Sequence, residues 1–110
     1  MNATTDQAGS GSPSLFVYKL IPPRPSFAGD MDSAEAAVMA DHAAYWQRRT
    51  DEGRVVVFGP VIGPSGTWGL AVVKADGEDD VTALGLEDPA VTSGTCTFEV
   101  GTMPVSILPR

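Results

Sequence analysis

The single histidine of the chain, His42, is the side chain best suited to moving protons. Imidazole ordinarily titrates near neutrality, so it serves as a general base or a general acid without a large pKa shift. Asp41 precedes it directly, but successive side chains on a helix point roughly 100 degrees apart, so Asp41 cannot orient the ring within one chain. A carboxylate partner must come from elsewhere. The alternative is a histidine that packs its apolar edge beside Tyr45, with a nitrogen meeting water or backbone.

The segment that must position His42 reads as a long amphipathic helix over residues 32–52. Asp32 or Asp30 is suited to the N-cap, and Glu35, three residues after Asp32, completes a capping box. Gly53 supplies a left-handed stop at the carboxyl end.

Two apolar stripes run along this predicted helix at three- and four-residue steps. The stripe predicted to be buried consists of Ala36, Met39, Ala40, Ala43 and Trp46. The neighbouring stripe consists of Val38, His42, Tyr45 and Arg49. This assignment places His42 at the margin of the buried face, where a pocket would open.

Asp88 is the candidate partner of His42. It precedes Pro89, and an aspartate followed by proline is typical of a helix N-cap and its first helical position. A carboxylate can also hold an imidazole in one tautomer. The capping role explains Asp88 by itself, and the two roles are compatible.

The remaining candidates would shape a substrate pocket. Tyr45, Trp46 and Trp68 could wall an aromatic molecule, although such residues also build cores, and the stripe position of Trp46 favours the core. Gly59, Pro60 and Ser65 lie where backbone amides could approach a substrate oxygen, or where the chain makes a tight turn. Arg24 could meet a carboxylate or phenolate, or stay on the surface.

The sequence indicates neither a metal nor a cofactor. Its one histidine and one cysteine, Cys96, lie far apart in the chain, so no zinc or haem ligand set is recognised. The acidic residues between 76 and 80 lack the spacing of a calcium loop.

Composition restricts the function classes. Seven basic residues against fourteen acidic ones give a net charge of -7, which disfavours binding to nucleic acid or to anionic lipid. No apolar run reaches the ~18 residues of a membrane span, and the amino terminus does not resemble a signal peptide. We expect a cytoplasmic protein in which residues 1–14 form a disordered tail and residues 15–110 form one domain.

The order of predicted elements is strand, helix, strand, strand, helix, strand. The strands are predicted at 15–21, 54–58, 67–74 and 95–100, the second helix at 76–87, a further helical turn at 88–91, and a short edge strand at 104–108. Residues 22–30 read as a proline-stiffened extended connection, and the hairpin between the middle strands as having a long Gly/Pro-rich turn. This order favours an α+β ferredoxin-like βαββαβ plait with an antiparallel sheet and both helices on one face. The uncovered face would be buried in a homodimer.

Taken in order, several of these segments resemble the YciI-like, or YCII-related, domain proteins. The resemblance is carried by residues 16–19, 41–45, 58–60, 68–73 and 88–91 and the closing strand. It implies a dimeric α+β barrel with a pocket between sheet and helices, and it places the His–Asp pair of the family's dehydrochlorinase activity on His42 and Asp88. Many relatives carry an acid in the turn after Gly-Pro, where this chain has Gly63, Pro64 and Ser65.

Three functions therefore stay open at this point. The first is a cofactor-independent lyase or isomerase that acts on a small cyclic or aromatic molecule through His42. The second is a small-molecule binding or accessory domain that uses the same pocket without catalysis, which the missing acid favours. The third is a structural dimer without a ligand.

Overall fold

The structure is a computed structural model that describes residues 14–109. The predicted tail over residues 1–14 lies outside this range except for Ser14, which is the first residue of a strand. The elements are β1 (Ser14–Ile21), α1 (Phe27–Asp30), α2 (Ser33–Asp51), β2 (Val55–Gly63), β3 (Gly66–Ala75), α3 (Glu78–Leu86), α4 (Pro89–Thr92) and β4 (Thr97–Met103).

The four strands form one antiparallel sheet in the order β2-β3-β1-β4. β1 is central, as its apolar sequence predicts, and it pairs with β3 on one side and β4 on the other. The α2 helix packs over β2 and beside α4, whereas α3 packs over β4 and β1. The predicted ferredoxin-like α+β plait is thereby confirmed.

Alternation along β1 separates the two faces of the sheet. Phe16, Tyr18 and Leu20 point to the helices and belong to the hydrophobic core. Val81 and Leu84 of α3 fill the same core, while Leu86 is 61% exposed. The core therefore lies between the sheet and a single layer of helices.

The α2 helix begins and ends as its sequence predicts. The Asp32 carboxylate accepts a hydrogen bond from the Glu35 backbone N–H, and the Glu35 carboxylate accepts one from the Asp32 N–H. Beyond the last turn, Gly53 has φ +80, a conformation that side chains other than glycine rarely adopt. Both ends of α2 are thus fixed by local chemistry.

The predicted buried stripe of α2 is correct for Trp46, which is fully buried, and wrong for its alanines. Ala36, Ala40 and Ala43 are exposed, while His42 and Tyr45 are buried beside Trp46. Burying large side chains removes more apolar area from water than burying alanines, and it fills the space over β2 and beside α4. His42 is only 7% exposed, so it lies inside the helix–sheet interface and not at its margin.

The β2–β3 hairpin is longer and tighter than predicted. β2 continues through Gly59 and Pro60 to Gly63, and the turn consists of two residues between Gly63 and Gly66. Proline is accepted in β2 because this is an edge strand, where a missing N–H need not interrupt a ladder. Gly66 has φ +121 and lies so close to Pro25 that a Cβ would approach the Pro25 carbonyl oxygen to 2.8 Å.

Two connecting segments also differ from prediction. The connection over residues 22–30 includes a helical turn, α1, which buries Phe27. Residues 104–108 form no edge strand, because β4 ends at Met103 and Pro104 cannot donate to a ladder. Ile107 beyond it is 94% exposed.

Candidate functional site

The centre of the candidate site is the carboxylate of Asp88, whose side chain has no exposure to solvent. It caps α4 by accepting a hydrogen bond from the Ala90 N–H at 2.9 Å, with Pro89 at the first helical position. The same carboxylate lies 2.9 Å from His42 Nδ1 through both of its oxygens. The cap and the pairing with histidine coexist in one side chain.

Two further donors hold the other side of this carboxylate. The Tyr18 hydroxyl donates to Asp88 Oδ2 at 2.9 Å, and Trp46 Nε1–H donates to the same oxygen at 2.8 Å. Both side chains are buried, so each of these polar groups needs a partner inside the protein. Asp88 therefore ties together β1, α2 and α4.

These hydrogen bonds decide the charge of Asp88. Burial by itself would raise the pKa of the carboxyl, but hydrogen bonds from His42, Trp46 and the Ala90 backbone outweigh burial and lower the pKa below its ordinary value. Asp88 is an anion at neutral pH and only accepts hydrogen bonds. The proton between the two residues therefore sits on His42 Nδ1, which leaves Nε2 of the neutral ring with a lone pair.

His42 also lines a cavity of about 240 Å³ between α2 and the sheet. Trp46 and Phe58 supply aromatic walls, and Phe27 and Met31 from the segment before α2 also line the cavity. Trp68 borders it from β3, but its ring lies beside Lys19 on the sheet face away from the helices. Because Nδ1 is held by Asp88, Nε2 is the ring nitrogen available to a bound molecule. The arrangement can take a proton from a ligand and return it.

Tyr18 and Cys96, which also line the cavity, report on its electrostatics. Burial, followed by the charge of Asp88, raises the pKa of the Tyr18 hydroxyl. The same two causes, with a smaller contribution from Glu35, raise the pKa of the Cys96 thiol to about 11. The cavity thus disfavours negative charge on its own acidic groups.

Several of the residues predicted from the sequence meet at this cavity. Gly59, Pro60 and Trp68 line it together with His42, and Asp88 lies behind the His42 ring. Gly59 and Pro60 contribute as part of strand β2 and not as a turn. Trp68 lies on the facing strand β3.

Three other predicted residues lie elsewhere. The Tyr45 hydroxyl donates to the Leu84 carbonyl oxygen at 2.8 Å, and its ring packs under the Arg49 guanidinium. Ser65 lies in the tight hairpin turn and lines a separate surface groove. None of these side chains borders the cavity that contains His42.

Arg24, the third, is engaged with carboxylates of the protein. Its two terminal nitrogens each lie 2.9 Å from one oxygen of Glu35, and its Nε lies 2.8 Å from Asp30 Oδ1. The hydrogen bonds from Arg24, followed by the capping bond from Asp32, lower the pKa of Glu35 to about 2. Arg24 thereby joins the connection over residues 22–30 to the start of α2.

The sequence interpretation did not assign Tyr18 and Trp46 to the site. Tyr18 lies on the inward face of β1 at period two with Phe16 and Leu20, and the position of Trp46 on the apolar stripe of α2 favours the core over a pocket wall. A buried hydroxyl and a buried indole N–H both require acceptors, and a buried aspartate requires several donors. That complementarity is the signal that connects them once Asp88 is known to be buried.

Within residues 14–109, no three His, Cys, Asp or Glu side chains lie close enough to hold a metal ion. No helix in the same range is long and apolar enough to cross a membrane.

A four-stranded plait with a buried His–Asp pair beside an apolar cavity defines a small α+β domain with a candidate acid–base site. The family model of the YCII-related domain matches residues 16–103. The chain belongs to this family, as its sequence resemblance indicates.

Comparison with known proteins adds structural relatives of the same fold. Among curated proteins no match is found. Among solved structures, the 5-chloro-2-hydroxyhydroquinone dehydrochlorinase TftG from Burkholderia phenoliruptrix AC1100, in complex with 2,5-dihydroxybenzoquinone, superposes with a TM-score of 0.63. The match covers 84% of this chain and 95% of that one at 19% sequence identity. At this identity the likeness establishes a shared fold.

Proposed function

We propose that the protein is a cofactor-independent enzyme of lyase or isomerase type that acts on a small cyclic or aromatic molecule. His42 Nε2 takes a proton from an O–H group, or from a C–H group beside a carbonyl, and the electron pair moves to the substrate oxygen or expels a leaving group. Asp88 fixes the tautomer and stabilises the imidazolium that forms. The observation that carries this proposal is the fully buried Asp88 carboxylate 2.9 Å from Nδ1 of a histidine that lines a cavity.

The relatives support the chemical class of the proposal. The solved structure with the same fold is of a dehydrochlorinase with a quinone-type ring compound bound to it. A ring of this kind is flat, and the aromatic walls from Trp46 and Phe58 suit a flat molecule.

The test uses 5-chloro-2-hydroxyhydroquinone in D₂O, with chloride release and deuterium incorporation into the ring measured separately. The wild-type protein should accelerate at least one of the two processes, and His42→Gln should lose at least about a hundredfold of that rate, since general acid–base catalysis contributes this much. Asp41→Asn is the matched control, because Asp41 is exposed and adjacent to His42. Absence of both processes, or a His42→Gln rate equal to the wild-type rate, contradicts the proposal.

A second candidate is a binding domain that holds the same class of molecule without reacting with it. Ser65 and its neighbours provide no acid after the Gly-Pro segment. Among the described residues that line the cavity, the ionisable side chains are those of His42, Tyr18 and Cys96. Binding of a ring compound without any proton exchange would favour this candidate.

We also propose that two copies associate through the sheet face opposite the helices. Val17 of β1 lies beside Val72 of β3, and Val57 of β2 lies beside Val72 on its other side. All three point away from the helical layer, and Val57 is 51% exposed. A contiguous apolar patch of this kind, flanked on the same face by Lys19 and Lys74, is best covered by a second copy of itself.

A further inference from the structure

The charges around the cavity restrict what can enter it. Among its lining residues in the described chain there is no lysine, arginine, aspartate or glutamate, and His42 is the sole member that carries charge when protonated. Two cations that lie against lining residues, Arg24 over Phe27 and Lys19 over Trp68, are occupied outside it. Arg24 is bound by Asp30 and Glu35, and Lys19 Nζ lies 5.2 Å from the centre of the Trp68 ring, in the neighbouring groove.

The hydrogen-bonding groups add a second restriction. The Tyr18 hydroxyl and the Trp46 indole N–H, which border the cavity, already donate to Asp88. His42 Nδ1 is engaged by the same carboxylate, so its Nε2 offers a lone pair to the interior. A ligand that meets this nitrogen must therefore bring a donor, and a ligand with acceptors alone leaves an unpaired lone pair against it.

Size gives the third restriction. A cavity of about 240 Å³ is smaller than the ~300–1,000 Å³ typical of sites for drug-sized ligands. Trp46 and Phe58 stack at 22° with their ring centres 6.4 Å apart, and Phe27 adds a third aromatic side chain to the lining. Flat molecules of one or two rings fit this space and these surfaces.

We infer that the cavity selects an uncharged, flat compound of one or two rings that donates one hydrogen bond to His42 Nε2, and that it discriminates against anionic compounds of the same shape. This inference rests on the proposed site and names the class of molecule that the site takes. A carboxylate in this cavity would be buried beside the Asp88 charge without a cation to pair with it, which costs more than burying a neutral amide. The raised pKa values of Tyr18 and Cys96 have the same physical origin.

The test compares two probes of nearly identical shape, 2-naphthamide and 2-naphthoate, by isothermal titration calorimetry at pH 8. The amide offers an N–H donor to His42, and the carboxylate offers only acceptors and a charge. The wild-type protein should bind 2-naphthamide at least about tenfold more tightly than 2-naphthoate, as expected for an unpaired buried charge. Equal binding, tighter binding of 2-naphthoate, or no binding of either probe overturns the inference.

A gain-of-function variant tests the electrostatic cause. Met39 lines the cavity one helical turn before His42 and is half-buried, so Met39→Lys places an ammonium group at the cavity wall. This variant should raise the affinity for 2-naphthoate at least about tenfold, whereas the uncharged control Met39→Leu should not. An unchanged affinity for 2-naphthoate in folded Met39→Lys contradicts the electrostatic cause.

The outcomes separate this inference from the proposed enzymatic function. Neither naphthalene probe has a bond that the site would break, so their affinities do not depend on catalysis. A preference for the amide without any proton exchange on ring compounds refutes the proposed function alone. Proton exchange together with equal binding of the two probes refutes the inference alone.

Discussion

Replacing Asp88 by asparagine should strongly destabilise the fold, because this carboxylate serves four donors at once. His42 Nδ1, Tyr18 Oη, Trp46 Nε1 and the Ala90 N–H all lie 2.8–2.9 Å from its oxygens. An amide has one oxygen, so its NH₂ group must face at least one of these donors.

The magnitude follows from that mismatch. A buried donor left without an acceptor costs about 1–3 kcal/mol, and the remaining bonds weaken when the acceptor loses its charge. We therefore expect Asp88→Asn to lower the free energy of unfolding by about 2–4 kcal/mol, a large part of the ~5–15 kcal/mol typical of a domain.

Urea denaturation at pH 7, followed by tryptophan fluorescence, measures this loss, with the exposed neighbour Asp41→Asn as control. The control should change the free energy of unfolding by no more than about 0.5 kcal/mol. A loss at Asp88→Asn that is no larger than the control's would refute the reasoning.

The pH dependence gives an independent check on the same carboxylate. The folded pKa of Asp88 is lowered, so its contribution to stability is present above the unfolded value near ~3.9 and is lost as the pH falls through the folded pKa. The stability difference between the wild-type protein and Asp88→Asn should accordingly narrow below about pH 4. A difference that stays constant from pH 7 to pH 3 would show that the charge of Asp88 contributes nothing.

Three further predictions concern the surroundings of the site. Because the folded pKa of Tyr18 is raised, its stabilising contribution is complete below the unfolded value near ~10 and is lost at higher pH. Urea titrations should therefore show that Tyr18→Phe loses less stability between pH 9 and pH 11 than the wild-type protein does. An equal loss in both proteins would contradict this. Gly66→Ala should lower the free energy of unfolding by about 2 kcal/mol, because Gly66 has φ +121 and a Cβ would meet the Pro25 carbonyl oxygen at 2.8 Å. Gly59→Ala is the control, because a Cβ at Gly59 meets open space. Thermal denaturation that ranks the two variants equally would refute this. Light scattering at micromolar concentration should show a dimer, and Val72→Asp should yield a monomer with native circular dichroism; a monomeric wild-type protein would remove the proposal of sheet-face association.

Local signals predicted most of the architecture. The Asp32–Glu35 capping box, Gly53 and the Asp88–Pro89 pair each act over a few residues, and the structure contains all of them as predicted. The order of strands and helices then leaves few ways to bury the apolar faces, which is why the plait follows from the sequence.

The choice of the buried face of α2 could not be read from periodicity. The alanine-rich stripe and the stripe through His42 are both compatible with a helical period, and the space over β2 and beside α4 decides between them. A histidine on the inner stripe is acceptable because Asp88 pairs with it.

The components of the site were partly accessible from the sequence. His42 and Asp88 were selected on residue type, helix position and family resemblance, and the structure brings them to 2.9 Å. Tyr18 and Trp46 looked like ordinary core aromatics, because their hydrogen bonds to Asp88 span 70 and 42 residues of sequence. Arg24 is held away from the cavity because it forms ion pairs with Asp30 and Glu35. No local sequence pattern reveals these ion pairs.

The central claim is that Asp88 holds the proton on His42 Nδ1 and leaves Nε2 free to act on a ligand. Long-range ¹H–¹⁵N NMR of the imidazole tests it directly, at a pH high enough for the ring to be neutral. The signals need no assignment, because His42 is the single histidine of the chain. We expect the neutral ring to be protonated at Nδ1 in the wild-type protein, and this preference to be lost in Asp88→Asn. A neutral ring protonated at Nε2 in the wild-type protein would contradict it.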